Sequence, residues 1–137
     1  MANIVSIKTL SENSREVVMA FHLQYVDAGD ESAVSKVDVS ALAKNSNGDS
    51  CTAVRLVECW WIIQGCTVEV MAAADTNVIM MHLAADDIGY QDFSKFAGLP
   101  STLSYGANPT GDIKFTTTGV GAAGDTYNII LRMNKQY

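Results

Sequence analysis

The sequence predicts an all-β fold: an antiparallel β-sandwich or jelly-roll-like domain of about eight strands with little helix. Several segments alternate apolar and polar residues with the two-residue period of a strand that buries one face. Glycine, asparagine and aspartate residues separate these segments at the short intervals that are typical of a sandwich or barrel. Long apolar patterns with the 3.6-residue period of an amphipathic helix are scarce.

The clearest strand is predicted over residues 17–25, where apolar side chains occupy alternate positions: Val17, Met19, Phe21, Leu23 and Tyr25. The same alternation predicts strands over residues 113–117 and 127–133. Five shorter or less regular strands complete the set, at residues 4–9, 37–39, 54–61, 68–70 and 78–83. Short helical turns are expected at residues 40–44 and 92–97.

Two of the predicted strands, in residues 54–63 and 78–83, are apolar on both faces. A strand in the centre of a two-layer structure has this composition, and we favour that interpretation over a face that covers a partner. Adjacent residues of a strand point to opposite faces, so one of Trp60 and Trp61 belongs to the core. The other lies in a second layer or on an interface.

Three segments are expected to supply an interface. Residues 84–105 are predicted to be mostly irregular, and a loop so long and aromatic folds back on the domain or docks on a partner. Residues 1–8 can pair with the sheet edge of another chain. With the tryptophan pair, these segments provide the candidate interface residues Ile4, Val5, Trp60, Trp61, Tyr90, Phe93 and Phe96.

Length and composition indicate one β-sandwich domain over residues 1–137, with residues 1–10 as an arm or an edge strand. Apolar residues make up 48% of the chain and charged residues 18%, as in folded globular proteins. No apolar run reaches the roughly 18 residues that a membrane span requires, and the first residues do not resemble a secretory signal. We therefore expect a protein that is made in the cytoplasm and does not contact membranes.

Charge and cysteine spacing argue against two classes of ligand, nucleic acids and zinc. The net charge is −6, and the nine Lys and Arg residues are scattered singly rather than clustered to neutralise phosphates. The spacings of Cys51, Cys59 and Cys66 match no zinc signature. We expect free thiols, partly buried in strands, and neither a metal nor a cofactor.

Gly119, Gly121 and Gly124 match the G-x-G-x-x-G dinucleotide pattern letter for letter, but their context does not fit it. The pattern binds a pyrophosphate where its glycines connect a strand to a helix. Here an alternating strand pattern follows, and only residues 125–137 remain after the last glycine. We interpret these glycines as part of a hairpin loop.

Acidic and histidine side chains offer few catalytic combinations. The acids of residues 27–31 and 86–87 are interpreted as solvated loop acids, while a calcium site stays open if the two loops meet at one end of the sandwich. His22 and His82 each lie in a predicted strand, and the sequence places no cysteine nucleophile beside either. We expect no catalytic residues and no enzyme.

Five stretches carry a resemblance to a known class of proteins: SKVDVSAL (35–42), ADTNV (74–78), GYQDF (89–93), TGDIKFTTTG (110–119) and GDTYNIIL (124–131). Together they resemble small virion structural proteins of tailed bacteriophages, in particular marine and cyanobacterial phages. The resemblance includes no catalytic signature. By analogy, it implies a capsid decoration (cement) protein that binds the outside of the major capsid shell.

The leading hypothesis is therefore a virion structural protein that stabilises the shell by contact and is made in the host cytoplasm. Its expected partners are the major capsid protein or other virion proteins. A homo-oligomer is also expected, with a trimer around a local symmetry axis as one arrangement. The alternatives are a phage neck or tail component, or a carbohydrate- or receptor-binding β-sandwich module that uses exposed Trp or Tyr; an enzyme is third.

Overall fold

The computed structural model describes residues 3–27 and 29–137, which form nine β-strands in two antiparallel sheets. The strands are β1 (Ile4–Glu12), β2 (Glu16–Gln24), β3 (Val34–Val37), β4 (Ala53–Gln64), β5 (Thr67–Ala72), β6 (Val78–Leu83), β7 (Ile88–Asp92), β8 (Ile113–Thr118) and β9 (Thr126–Gln136). Met1, Ala2 and Ala28 lie outside the described residues, and the first two positions of the predicted N-terminal arm are therefore outside them as well.

The order of the strands is that of a jelly roll. The five-stranded sheet has the order β1-β2-β9-β4-β7, and the four-stranded sheet has the order β3-β8-β5-β6. Strands β2 to β9 thereby form the two four-stranded layers of an eight-stranded jelly roll. β1 adds one more strand beside β2, at the edge of its sheet. The all-β sandwich predicted from the alternating pattern is confirmed.

The core lies between the two sheets and is built by the alternating runs. In β2, every second side chain from Val17 to Leu23 is buried, as the two-residue period predicts. Phe21 of one sheet meets Phe115 of the other with ring centroids 5.1 Å apart and an interplanar angle of 61°. Phe115 makes a second edge contact, with Tyr127 of β9. Each large apolar side chain buried in this way stabilises the fold by roughly 1.5–3 kcal/mol.

An ionic cluster is enclosed at the border of this core. The Nζ of Lys36 lies 2.6 Å from Oε2 of Glu31, and the Lys36 side chain is only 1% exposed. The hydroxyl of Tyr127 donates a hydrogen bond to the other carboxylate oxygen of Glu31 at 2.7 Å. Burial and this carboxylate raise the pKa of Tyr127, so the hydroxyl keeps its proton. Each buried charge therefore has a partner, as burial of ions requires.

The segment 84–105, predicted to be mostly irregular, contains strand β7. It pairs with β4 through five residues, with Ile88 opposite Ile62 and Asp92 opposite Glu58. The sequence did not predict this strand, because Gly89 and Asp92 have low β-propensity and interrupt any clear alternation. The strand forms because β4 offers it a free edge.

The two strands that are apolar on both faces are not buried on both faces, so the favoured interpretation was wrong. β4 lies between β9 and β7, and its outer face leaves Trp60 36% and Ile62 53% exposed. β6 is an edge strand of the four-stranded sheet, and Ile79 is 48% exposed. In the described part of the chain, no third layer covers these side chains.

The helical elements of the described residues are three short 3-10 helices, Val39–Ala41, Ser94–Phe96 and Thr102–Ser104. Val39 was predicted to lie in a strand, but it begins the first of these helices. The side chain of Asp38 accepts a hydrogen bond from the backbone N–H of Ser40, which caps the turn and ends β3. Residues 3–27 and 29–137 contain no helix that is long and apolar enough to cross a membrane.

Candidate binding surface

The outer face of the five-stranded sheet, which points away from the core, carries a group of apolar side chains. Strand register places them in two rows. In the first row, Ile130 of β9 lies opposite Trp60 of β4, which lies opposite Tyr90 of β7. In the second row, Ile62 lies opposite Ile88. These five residues are called the Trp60 patch below.

The Trp60 patch is open to solvent. Ile88 is 76% exposed, and Ile62 and Tyr90 are exposed as well. A shallow depression of about 220 Å³ lies among Trp60, Ile62, Ile88 and Ile130. Because these exposed apolar side chains form one contiguous group rather than lying singly, the surface is a candidate site for a partner.

Tyr90 is held against Trp60 by an ionic network. Their ring centroids lie 5.2 Å apart with a tilt of 31°, and the Tyr90 hydroxyl donates to Oε2 of Glu58 at 2.6 Å. Arg132 pairs with Glu58 and, at 2.8 Å, with Glu16. The hydrogen bond to the Glu58 carboxylate raises the pKa of Tyr90 to about 12, and the hydrogen bonds to both glutamates raise the pKa of Arg132. The aromatic part of the patch is therefore fixed before any partner arrives.

A second depression, of about 330 Å³, lies on the same face over β1, β2 and β9. Its lining combines the polar side chains of His22 and Asn128 with Ala20 and Ile130, and more of its surface is apolar than polar. Nδ1 of His22 lies 2.7 Å from Oδ1 of Asn128. We call this site the His22 depression; its lining also includes Ser6 and Lys8. It adjoins the Trp60 patch because Ile130 belongs to both.

Among the seven predicted interface residues, the structure brings Trp60 and Tyr90 together on the outer face. Trp61 faces the opposite way and packs against the core. Its Nε1 donates a hydrogen bond to Oδ2 of Asp87 at 3.1 Å. Phe93 also packs against the core. Of the two adjacent tryptophans, Trp60 is therefore the one available to a partner.

The remaining three predicted residues lie apart from the Trp60 patch. Phe96 is exposed in the 3-10 helix that follows β7, with its ring centroid 6.0 Å from that of Phe93. Ile4 and Val5 are exposed on β1, at the far edge of the same sheet. β2 and β9 separate them from β4 and Trp60.

Three members of the Trp60 patch, Ile62, Ile88 and Ile130, were not among the predicted interface residues. Ile130 carried a signal, because it is an apolar residue on the polar side of an alternating strand. Ile62 carried an ambiguous one, because both faces of its strand are apolar. Ile88 carried none, because its position on the outer face follows from the pairing of β7 with β4.

All three cysteines lie in the described residues and are free and buried. Free thiols were expected in strands, but only Cys59 lies in one. Burial raises the pKa of Cys59 to about 12. Burial, with smaller contributions from Asp125 and three other acids, raises the pKa of Cys66 to about 11. Thiols in such surroundings carry little thiolate at neutral pH and are poor nucleophiles.

The loop acids hold the backbone in place. Asp30 accepts a hydrogen bond from the N–H of Val120 at 2.8 Å, and Asp86 accepts one from the N–H of Gly65 at 2.9 Å. Within the described part of the chain, no three His, Cys, Asp or Glu side chains lie close enough together to hold a metal ion. The segment after Gly124 forms β9, as its alternation predicted. The glycines before it do not close a hairpin, contrary to the interpretation from the sequence, because they connect β8 to β9 and these strands belong to different sheets.

No family model and no curated protein matches this sequence. Among solved structures, the chain is similar to a cupin superfamily protein from Desulfitobacterium hafniense, with 12% identity and a TM-score of 0.36 over all of this chain and 82% of the other. It is also similar to Peruvianin-I, a cysteine peptidase from Thevetia peruviana latex, with 11% identity and a TM-score of 0.38 over 97% of this chain and 63% of the other. At these TM-scores neither likeness contributes to the assignment of fold or function.

Proposed function

We propose that this chain is a structural protein of a bacteriophage particle that acts by surface contact, as a decoration protein on the outside of the major capsid shell. The observation that carries the contact role is the Trp60 patch, an apolar and pre-positioned surface on the solvent side of the five-stranded sheet. The phage setting comes from the resemblance of residues 35–135 to virion proteins. The chain would be made in the host cytoplasm and end in the virion.

The composition of the Trp60 patch fits a protein partner. Trp and Tyr are enriched among the residues that dominate protein–protein binding, because each buries a large area at a small cost in side-chain entropy. The contacts of Tyr90 with Trp60 and Glu58 lower that entropic cost further. The charged side chains of Glu58 and Arg132 lie beside the patch and provide a polar rim.

The surroundings of the reactive side chains support a role without catalysis. The three thiols are buried, and the pKa of two of them is raised. His22 is engaged with Asn128, and His82 is an exposed side chain 4.0 Å from Glu69. Neither arrangement is the oriented nucleophile and base that covalent hydrolysis uses.

The test is co-sedimentation with empty shells of the major capsid protein encoded nearest to the gene of this chain. We expect saturable binding that Trp60→Ala weakens about 30-fold, the effect of losing a hot-spot side chain worth about 2 kcal/mol. Ile62→Ser is also expected to weaken binding to the shells. Ile79→Ser is the matched control, because Ile79 is about as exposed as Ile62 but lies on the other sheet.

Three results would contradict the proposal. The first is that the chain fails to sediment with shells, and the second is that it binds shells equally well after both patch substitutions. The third is that its gene has no capsid, neck or tail genes nearby. Binding to isolated necks or tails instead of shells would favour the neck or tail component, which uses the same contact mechanism.

Carbohydrate binding is a second candidate, and the His22 depression favours it. The hydrogen-bonding side chains of His22 and Asn128 lie near the ring of Trp60 on the outer face of the five-stranded sheet. Sugars are bound by such combinations of polar and aromatic side chains. Quenching of tryptophan fluorescence by soluble glycans, lost on Trp60→Phe and on Asn128→Ala, would support this function over the first. An unchanged spectrum across a panel of neutral and acidic glycans would exclude it.

A further inference from the structure

The free edge of β1 differs from the other sheet edges of the described chain. β1 has nine residues, whereas the edge strands β3, β7 and β6 have four, five and six. All nine side chains of β1 are at least partly exposed, and in residues 3–27 and 29–137 only β2 pairs with it. Its outer row of backbone N–H and C=O groups is therefore open to another strand.

The inward-facing side chains of β1 are apolar but uncovered. Val5 lies opposite Leu23 and Ile7 lies opposite Phe21, and both β2 residues are buried. Val5 is nevertheless 45% exposed and Ile7 is 44% exposed, because the four-stranded sheet does not extend over β1. The core thus ends one strand before the sheet does.

The features that normally protect an edge strand are present only in the second half of β1. A register shift interrupts the ladder between Thr9 and Ser11, and Lys8 is the one charged residue before it in the described part of the strand. Bulges and lysines at sheet edges prevent pairing with other chains. Residues 4–7 have neither, so they form the part of the edge that is competent to pair.

We propose that two copies of the chain associate through antiparallel pairing of β1 with β1, which joins their two five-stranded sheets into one continuous sheet. The two-fold axis passes beside Ser6, so that Ser6 lies opposite Ser6 of the second copy. Val5 then lies opposite Ile7 of the second copy, and Ile7 opposite Val5. Four apolar side chains that are half exposed in the single chain become neighbours across the interface.

Charge selects between the possible registers, and the repulsion between two copies is weak at this edge. The chain has a net charge of −6, so two copies repel each other over most of their surface. Residues 4–9 carry no acid and one lysine, so this edge is a place where a second acidic copy can approach. A register centred on Lys8 would place two ammonium groups opposite each other. The register centred on Ser6 separates the two Lys8 residues by four strand positions, about 13 Å.

Disulfide cross-linking tests the register directly. Residues directly opposite in an antiparallel pair have Cα atoms about 4.5–5.5 Å apart, which is within reach of a disulfide. Ser6→Cys is expected to form a covalent dimer rapidly under mild oxidation, and Lys8→Cys is expected not to. The native cysteines are buried in the described chain, so they do not compete.

Mass measurement by analytical ultracentrifugation tests the association itself. We expect a concentration-dependent mass that rises from 14.7 kDa to twice that value. Ile7→Lys and Val5→Lys are each expected to weaken dimerisation about tenfold or more, because they place a charge in the apolar pairs. Ile79→Lys is the control: Ile79 is about as exposed as Ile7 but lies in β6, an edge strand of the other sheet.

Circular dichroism of each variant shows whether it is folded. The two cysteine variants change only exposed or partly exposed side chains of β1, so they are expected to fold like the wild type. A monomer at every concentration would overturn the proposal, as would a trimer. Dimers that persist in both lysine variants, or cross-linking of Lys8→Cys as fast as that of Ser6→Cys, would overturn it too. Since β1 lies apart from the Trp60 patch, the outcome is independent of whether the chain binds shells.

Discussion

Gly89 of β7 lies directly opposite Trp61 of β4, and the indole ring fills the space that a side chain at position 89 would need. A Cβ atom on Gly89 would lie 2.2 Å from Cζ2 of Trp61. The glycine therefore lets β7 approach β4 over the large ring. That approach places Ile88 and Tyr90 in the Trp60 patch.

We predict that Gly89→Ala destabilises the protein by about 1–3 kcal/mol, the usual effect of forcing extra atoms into a packed site. Either the indole must leave its position, which breaks its hydrogen bond to Asp87, or β7 must move away from β4. Denaturant unfolding followed by tryptophan fluorescence measures the loss. Gly121→Ala is the matched control, since no atom lies within 4 Å of a Cβ there; a loss as large in the control would contradict the steric explanation.

We predict that Lys36→Met destabilises the fold by about 3–5 kcal/mol, because it leaves the carboxylate of Glu31 without its buried partner. Chemical denaturation gives the change in the free energy of unfolding. The double variant Lys36→Met with Glu31→Gln removes both charges and should recover part of the loss. Lys95→Met, at an exposed position, should change stability by no more than about 0.5 kcal/mol.

Tyr90 should ionise later than an ordinary tyrosine, since the hydrogen bond to Glu58 raises its pKa from 10.0 to about 12. The folded protein holds this proton more tightly than the unfolded chain. The hydrogen bond therefore contributes stability below pH 10, and the contribution is lost as the pH rises from 10 to about 12. The ultraviolet titration difference between the wild type and Tyr90→Phe isolates this group.

Glu58→Gln serves as the control for that titration. Removal of the carboxylate should return the pKa of Tyr90 toward 10. Circular dichroism recorded over the same pH range separates ionisation from unfolding. A wild-type Tyr90 that titrates like free tyrosine would show that the contact with Glu58 does not persist in solution.

The thiols should be unreactive in the folded protein. Cys59 and Cys66 have raised pKa values, about 12 and about 11, and Cys51 is buried. A thiol-specific chromogenic reagent at pH near 8 should therefore label none of the three within minutes and all three in denaturant. Rapid labelling of one thiol without denaturant would indicate that its part of the sandwich opens.

The alternating pattern was enough to predict most strands, because a two-residue period is a local property of a chain that buries one face. Residues 17–25 and 127–133 predicted β2 and β9 to within three residues at each end. The same local signal assigned Phe21, Phe115 and Tyr127 to alternating apolar faces, and all three are buried. The alternating pattern did not predict β7, because this strand forms by pairing with β4 and its own residues do not alternate.

The Trp60 patch depends on a choice that the local sequence pattern did not determine. The sequence established that Trp60 and Trp61 point to opposite faces, because neighbours in a strand always do. It did not establish which of them is outside, since both faces of β4 are apolar and a two-sided pattern carries no direction. That choice was made by tertiary packing: the four-stranded sheet covers the face with Trp61 and Ile63, and leaves Trp60 and Ile62 to solvent.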